Sequence, residues 1–214
     1  MHRPIRRRTI VPVLVGVGLF TTRAAAQVGK NQGLVNPNLA GQEELAAIPG
    51  LGKPGVDAIL AGRPFLTMTD LHAALSPHVA ENGFEALYRK LWVPINLNTA
   101  SREEILLIPA AGPRMAHEFE EYRPYQALAQ FRREIGKYVD NAEVARLEQY
   151  VFVPIDLNTA SDEAILSIPG VGQRMLREFK EYRPYTNMAQ FRREIGKYVN
   201  EKELARLERY VEIR

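Results

Sequence analysis

The sequence repeats itself every sixty residues, without an insertion or a deletion. The segment that begins at Pro94 matches the segment that begins at Pro154, and about two-thirds of their positions are identical. A more diverged copy precedes them. A fixed period of this kind is typical of architectures in which one small unit is built several times. The sequence therefore predicts three tandem units: copy 1 (34–93), copy 2 (94–153) and copy 3 (154–214).

The N-terminal 26 residues have the layout of a secretory signal peptide. Several arginines precede an apolar run at 10–20, and three alanines stand before Gln27. The apolar run is shorter than the roughly twenty residues that cross a membrane. An uncleaved N-terminal anchor is the alternative interpretation. We predict cleavage after Ala26, a linker at 27–33, and a periplasmic or otherwise extracytoplasmic protein.

Removal of this leader changes the charge of the chain. The whole sequence has 28 Lys and Arg against 25 Asp and Glu, and five of the arginines lie before the predicted cleavage site. The predicted mature chain therefore carries 23 basic and 25 acidic residues. Net charge bears on partners rather than on the fold. The excess of basic residues in the whole sequence comes from the leader, so it does not by itself indicate a nucleic-acid partner.

The residue types needed for common enzyme and metal sites are missing or scattered. The chain has no cysteine, so no disulfide can stabilise the exported protein. It has no nucleophile–base pair, no phosphate-binding Walker loop and no dinucleotide motif. Its histidines lack the spacing of metal ligands: His2, His72, His78 and His117. We predict a non-enzymatic protein with no cofactor, no bound metal and no small-molecule substrate.

The hydrophobic pattern within one copy is helical. In copy 3, apolar residues recur at three- and four-residue steps in four successive segments that are separated by turns. Thr159 or Ser161 is expected to cap the first helix. The segment 151–155 is apolar and extended. The predicted fourth helix carries Leu204, Leu207 and Val211. The sequence thus predicts an all-α fold, with two helix–turn–helix pairs in each copy and short extended segments between copies.

The order of motifs within a copy resembles the helix-hairpin-helix family. Asn-Thr-Ala-Ser opens the copy, a short helix leads to Ile-Pro-Gly-Val-Gly, and the next helix has a basic residue near its start. The series is most similar to the paired helix-hairpin-helix domain of ComEA-type competence proteins, the extracytoplasmic DNA receptors of natural transformation. The likeness covers 34–214, although three copies depart from the single paired domain of that group. It implies non-specific binding of double-stranded DNA.

Such a turn binds phosphate through its backbone. Two glycines let successive N–H groups point the same way, and the following helix adds its positive dipole end. A Lys or Arg at the start of that helix adds charge, and no base is read. In copy 2, Ala110 replaces the first glycine, so we expect its turn to matter less. The candidate phosphate-binding residues are Gly50, Gly52 and Lys53 in copy 1, Gly112 and Arg114 in copy 2, and Gly170, Gly172 and Arg174 in copy 3.

A second interpretation is a scaffold protein that docks on a protein complex at a membrane surface. The extrinsic PsbU subunit of photosystem II uses the same paired fold in that way. The basic residues of copy 3 alternate with glutamates, which is typical of a solvated face with ion pairs. The second turns, at Gly136 and Gly196, lack paired glycines and are expected to be structural. Four tyrosines are expected to be exposed and to serve a protein interface, or else to pack on their own copy: Tyr125, Tyr138, Tyr185 and Tyr198.

Overall fold

A computed structural model describes residues 33–214 of the chain. The predicted signal peptide and most of the predicted linker lie outside the described residues. Within the part that is described, no helix is both long enough and apolar enough to cross a membrane.

The protein is mostly helical, and its elements recur with the period of the sequence. The helices of copy 1 are α1 (Gln42–Ala46), α2 (Gly52–Gly62), α3 (Met68–Leu75) and α4 (Phe84–Tyr88), with a 3-10 turn at Glu81–Gly83. Those of copy 2 are α5 (Arg102–Leu106), α6 (Pro113–Glu121), α7 (Leu128–Ile135) and α8 (Asn141–Glu148). Those of copy 3 are α9 (Asp162–Leu166), α10 (Gln173–Glu181), α11 (Met188–Ile195) and α12 (Glu201–Glu208).

Short parallel strand pairs close each copy on itself. The strands are β1 (Ile95–Asn96), β2 (Val151–Phe152), β3 (Ile155–Asp156) and β4 (Val211–Glu212). β1 pairs with β2 and β3 pairs with β4, so the end of a copy returns beside its own beginning. A single bridge between Val35 and Leu91 does the same in copy 1. The expected extended segment at 151–155 is confirmed. The placement of Val211 in the fourth helix is wrong, because Val211 pairs with Ile155 in the ladder.

Side-chain caps define where several helices begin. Ser161 accepts a hydrogen bond from the backbone N–H of Ala164, so it is the cap of α9, whereas Thr159 donates to Asp156. Ser101 forms a full capping box with Glu104 at the start of α5. Caps of this kind contribute about 1 kcal/mol each. Helices of five residues are not stable alone, so packing between elements must supply the rest.

The second asparagine of the opening turn, which reads Asn-x-Asn in copies 1 and 2 and Asp-x-Asn in copy 3, is a structural joint. The Asn98 side chain donates to the Tyr125 carbonyl at 2.9 Å and accepts from the Tyr125 N–H at 2.6 Å. Asn158 holds Tyr185 in the same way. These bonds tie the opening turn of a copy to the loop after its second helix. Tyr125 and Tyr185 are buried, and each lies beside the aromatic ring of a phenylalanine in the helix that follows it. The expectation that these two tyrosines are exposed is therefore wrong.

Copies 1 and 2 share one hydrophobic core, and copy 3 has a second core that begins at Phe152. Trp92 connects the first two copies, because its indole N–H donates to the Tyr150 carbonyl at 2.8 Å and its ring meets the Tyr150 ring edge-on at 5.0 Å. The side chains of the shared core come from all four helices of copy 1 and of copy 2. Neither copy therefore buries its apolar residues independently of the other.

Copy 3 contacts both of the other copies. Arg209 donates to the Pro94 carbonyl at 2.8 Å, at the junction of copies 1 and 2. Lys202 donates to the Arg63 carbonyl of copy 1 at 3.2 Å. Leu39 of copy 1 lies so close to Gly170 that a Cβ at this glycine would be 3.1 Å from Leu39 Cδ2. The three copies therefore pack against one another and do not form a linear string.

Candidate nucleic-acid interface

The first turn of every copy has a residue with a left-handed backbone conformation at the same repeat position. The φ angles are 85° at Gly50, 61° at Ala110 and 80° at Gly170. Alanine in this conformation costs about 1–2 kcal/mol relative to a right-handed one. Copy 2 keeps the turn despite this cost, so the loss of its first glycine does not alter the backbone conformation at that position.

The second glycine distinguishes copy 1 from the other two. Gly52 has a φ of 62°, whereas Gly112 and Gly172 are extended, with φ of −81° and −108°. The following helix therefore starts at Gly52 itself in copy 1, but only after the glycine in copies 2 and 3. Copy 1 matches the glycine motif best in sequence, yet its turn is the one that differs from the others.

The helices that follow the three turns begin without side-chain caps. No hydrogen bond from a capping side chain within residues 33–214 occupies the first turn of α2, α6 or α10. Their leading N–H groups are therefore open to solvent or to an anion. Proline removes one donor from α2, at Pro54, and one from α6, at Pro113. α10 has no proline in its first turn and presents the fullest set of donors.

The basic residue beside the first turn has different contacts in each of the three copies. Lys53 is ion-paired with Asp57 at 2.6 Å, and both side chains are exposed. The Arg114 guanidinium lies 6.0 Å from the centre of the Tyr138 ring. Arg174 is exposed, and so is Arg177 one turn further along α10; within the described range neither takes part in an ion pair. Arg114 is also exposed and has no ion pair among residues 33–214, but His117 one turn further along α6 pairs with Glu121, so copy 3 differs in presenting two unpaired cations beside its turn.

Most other basic residues of copy 3 are already engaged. Lys180 pairs with Asp162 at 2.6 Å, and Arg183 donates to the Ala160 carbonyl at 2.9 Å. The remaining pairs are Arg192 with Glu208, Arg193 and Lys197 with Glu194, Arg206 with Glu203, and Arg214 with Glu212. The alternation of basic residues with glutamates therefore reflects ion pairing for these side chains.

A carboxylate lies at the centre of each second turn in copies 2 and 3. Glu134 is mostly buried and accepts hydrogen bonds from Lys137 and Arg133, and the same arrangement recurs around Glu194. The hydrogen bond from the lysine, followed by that from the arginine, lowers the pKa of both carboxyls. A Cβ at Gly136 would lie 2.7 Å from the Arg132 carbonyl oxygen, which accounts for glycine at that position.

This pairing predicts an acid-dependent loss of stability. A carboxyl whose pKa is lowered by folding stabilises the protein above its unfolded pKa, near 4.5, and the stabilisation is lost as the pH falls through the folded value. We expect Glu134→Gln/Glu194→Gln to lower the melting temperature near neutral pH and to have little effect in strong acid. Circular dichroism melts across this range measure the difference. Glu201→Gln on the surface is the control, and a pH-independent difference would contradict the expectation.

An arginine of the fourth helix, half-buried in copy 2 and buried in copy 3, supports the first turn of each of these copies. Arg146 donates to the Pro109 carbonyl at 2.8 Å, and Arg206 donates to the Pro169 carbonyl at 2.6 Å. Each also forms an ion pair three residues back along its own helix. Copy 1 has Ala86 at this position and lacks the support. Sequence reasoning missed these residues, although a Glu three residues before an Arg recurs sixty residues apart and was a usable signal.

The first turn of copy 2 faces carboxylates. Ala110, Ala111 and Gly112 line a groove whose opposite wall, from copy 1, includes Glu81 and Glu85. A phosphate at this turn would approach those negative charges. The structure therefore places the three turns in three different electrostatic settings, of which that of copy 3 is the most favourable for an anion.

Comparison of the chain with protein-family models, with curated proteins and with solved structures gave no match in any of the three. A search of residues 33–214 found no group of three or more His, Asp or Glu side chains that could hold a metal ion. The likeness to helix-hairpin-helix proteins therefore rests on the motif residues of the sequence.

Proposed function

We propose that this protein is an exported, non-enzymatic protein of three tandem paired helix-hairpin-helix units that binds double-stranded DNA without sequence preference. Its role would resemble that of ComEA-type DNA receptors in the periplasm or an equivalent extracytoplasmic space. The observation that supports this most is the first turn of copy 3. There the uncapped start of α10 adjoins Arg174 and Arg177, which are exposed and have no ion pair among the described residues.

The chemistry at this turn suits a backbone phosphate. The N–H groups of Gln173, Arg174 and Met175 lie in the first turn of α10, where the helix dipole favours a negative charge. Arg174 adds a guanidinium that can bind two phosphate oxygens at once. Such contacts position a duplex without reading its bases. Affinity would then depend on salt and not on sequence.

Copy 1 would supply a second, weaker contact. The ion pair of Lys53 with Asp57 is exposed, and pairs of this kind contribute only about 0–1 kcal/mol. A phosphate can therefore replace Asp57 as the partner of Lys53 at little cost. In copy 2, the carboxylates across the groove oppose an anion at Gly112 and Arg114. Two contacts of this kind imply a shallow salt dependence, with a log–log slope on the order of −2 to −4.

Charge reversal beside α10 is expected to reduce DNA affinity by more than about tenfold at low salt, because it removes two cations and adds two anions next to the phosphates. The variant is Arg174→Glu/Arg177→Glu, measured against a random duplex by fluorescence anisotropy. The matched control is Arg114→Glu/His117→Glu, at the same repeat positions in copy 2, where we expect a small loss. Equal binding by the wild type and the copy 3 variant would remove this turn from the mechanism.

A specific observation also favours the second candidate, a scaffold that docks on a protein complex at a membrane surface. Six of the eleven basic side chains in copy 3 form ion pairs with glutamates or with Asp162. The predicted mature chain, moreover, has slightly more acidic than basic residues. Absence of duplex binding by the wild-type protein in the low-salt titration would select this function.

A further inference from the structure

A groove runs between copy 1 and copy 2. One wall comes from α3, the 3-10 turn and α4, and the other comes from the first turn of copy 2. The groove has a volume of about 400 Å³ and combines apolar walls with acidic groups. The residues that matter here are His72, Glu81, Glu85, Tyr88, Leu106 and Ala111.

The copy 1 wall departs from the repeat at the residues that face this groove. In copies 2 and 3, an ion pair joins the third helix to the fourth. These pairs are Arg132 with Glu148, and Arg192 with Glu208. At the same positions copy 1 has His72 and Tyr88, whose Nδ1 and hydroxyl oxygen are 2.8 Å apart. An ion pair is thus replaced by a hydrogen-bonded pair of aromatic side chains.

The charges at the groove are also specific to copy 1. Glu85 stands where copies 2 and 3 have alanine, and Glu81 has no ion-pair partner among residues 33–214. The pair of Glu85 with Arg89 is exposed and therefore weak. On the opposite wall, Leu106 is 41% exposed and Ala111 is apolar. The groove therefore suits an occupant that carries positive charge on aliphatic stems.

The same chain carries such a group on copy 3. Arg174 and Arg177 are exposed, lie one turn apart on α10 and have no ion pair in the described part of the protein. The turn before α10 adjoins Leu39, which is not a residue of the groove. We propose that α10 of one molecule docks in this groove on a second copy of the chain, where the two arginines meet Glu81 and Glu85.

The contact is physically reasonable but weak. The aliphatic part of each arginine can cover the exposed side chain of Leu106 while the guanidinium remains at the carboxylates. The surfaces that meet are different, so the association is head to tail and does not close into a symmetric dimer. The inference does not rest on DNA binding. It does imply that a duplex at Arg174 and Arg177 and a second protein molecule exclude each other.

Sedimentation velocity of the predicted mature protein without DNA tests this proposal. The wild type is expected to show a mass that rises with protein concentration at low salt and falls when salt is added. Variant A, Glu81→Lys/Glu85→Lys, and variant B, Arg174→Glu/Arg177→Glu, should each associate at least about tenfold more weakly. An equimolar mixture of A and B should associate again, because the intact arginines of A fit the intact groove of B.

The control is Glu43→Lys/Glu201→Lys, which makes the same change in charge on exposed residues, with Glu201 at the repeat position of Glu81. This variant should associate like the wild type. All substitutions are at exposed or half-exposed side chains, and circular dichroism melts show whether each variant is folded. A wild type that stays monomeric at low salt would overturn the proposal. So would a mixture of folded A and B that remains as monomeric as its components.

Discussion

Replacement of Trp92 with alanine is expected to lower the free energy of unfolding by about 3–5 kcal/mol, the usual cost of truncating a buried aromatic residue. Trp92 is 1% exposed and lies between Tyr88 and Tyr150, with ring centres 5.8 and 5.0 Å away. The truncation leaves a cavity in the core that copies 1 and 2 share. It also removes the indole donor from the Tyr150 carbonyl.

Far-UV circular dichroism during denaturant unfolding measures this effect, since Trp92 is the only tryptophan in the sequence and its fluorescence is lost in the variant. Trp92→Phe is the control, because it keeps much of the packing and loses the hydrogen bond. We expect copies 1 and 2 to unfold together in both proteins. An early transition of copy 1 alone would show that the shared core does not couple the two copies.

Asn158→Ala is expected to destabilise the protein by about 2–3 kcal/mol, since a single side chain satisfies both backbone groups of Tyr185 and alanine satisfies neither. The loss should be seen in thermal or denaturant unfolding. Asn187→Ala is a matched control, because this asparagine caps an exposed helix start and otherwise bonds only the exposed hydroxyl of Thr186, so its loss should cost about 1 kcal/mol. Equal, small losses from the two substitutions would mean that Asn158 is not a structural joint.

These two residues show what local sequence information can reveal. Asn158 belongs to the motif that opens its copy, but its partner lies 27 residues away and only the fold brings the two together. Trp92 has no special local pattern, and its role depends on Tyr150, 58 residues further along the chain. In both cases the sequence pointed to helices and turns correctly, because caps, glycines and apolar spacing act within a few residues.

The candidate site shows the same limit. The spacing of glycines and basic residues located the three first turns, and the left-handed residue is present in each, even where alanine replaces glycine. The state of the basic residues was not predictable in the same way. Among the described residues Lys53 has an ion pair and Arg174 has none, and Arg206 is buried beside a turn. Such differences depend on which carboxylates the fold brings near, and net charge does not reveal them.

The sequence by itself determined the sixty-residue period, the mostly helical character and the extended segment between copies 2 and 3, since these follow from patterns repeated along the chain. Only the tertiary structure decided that Tyr125 and Tyr185 are buried, that Val211 joins a strand, and that copy 3 packs on both other copies. Burial and long-range pairing depend on the simultaneous positions of distant segments. Copies that are nearly identical in sequence therefore acquire different neighbours, and with them different charges and accessible surfaces.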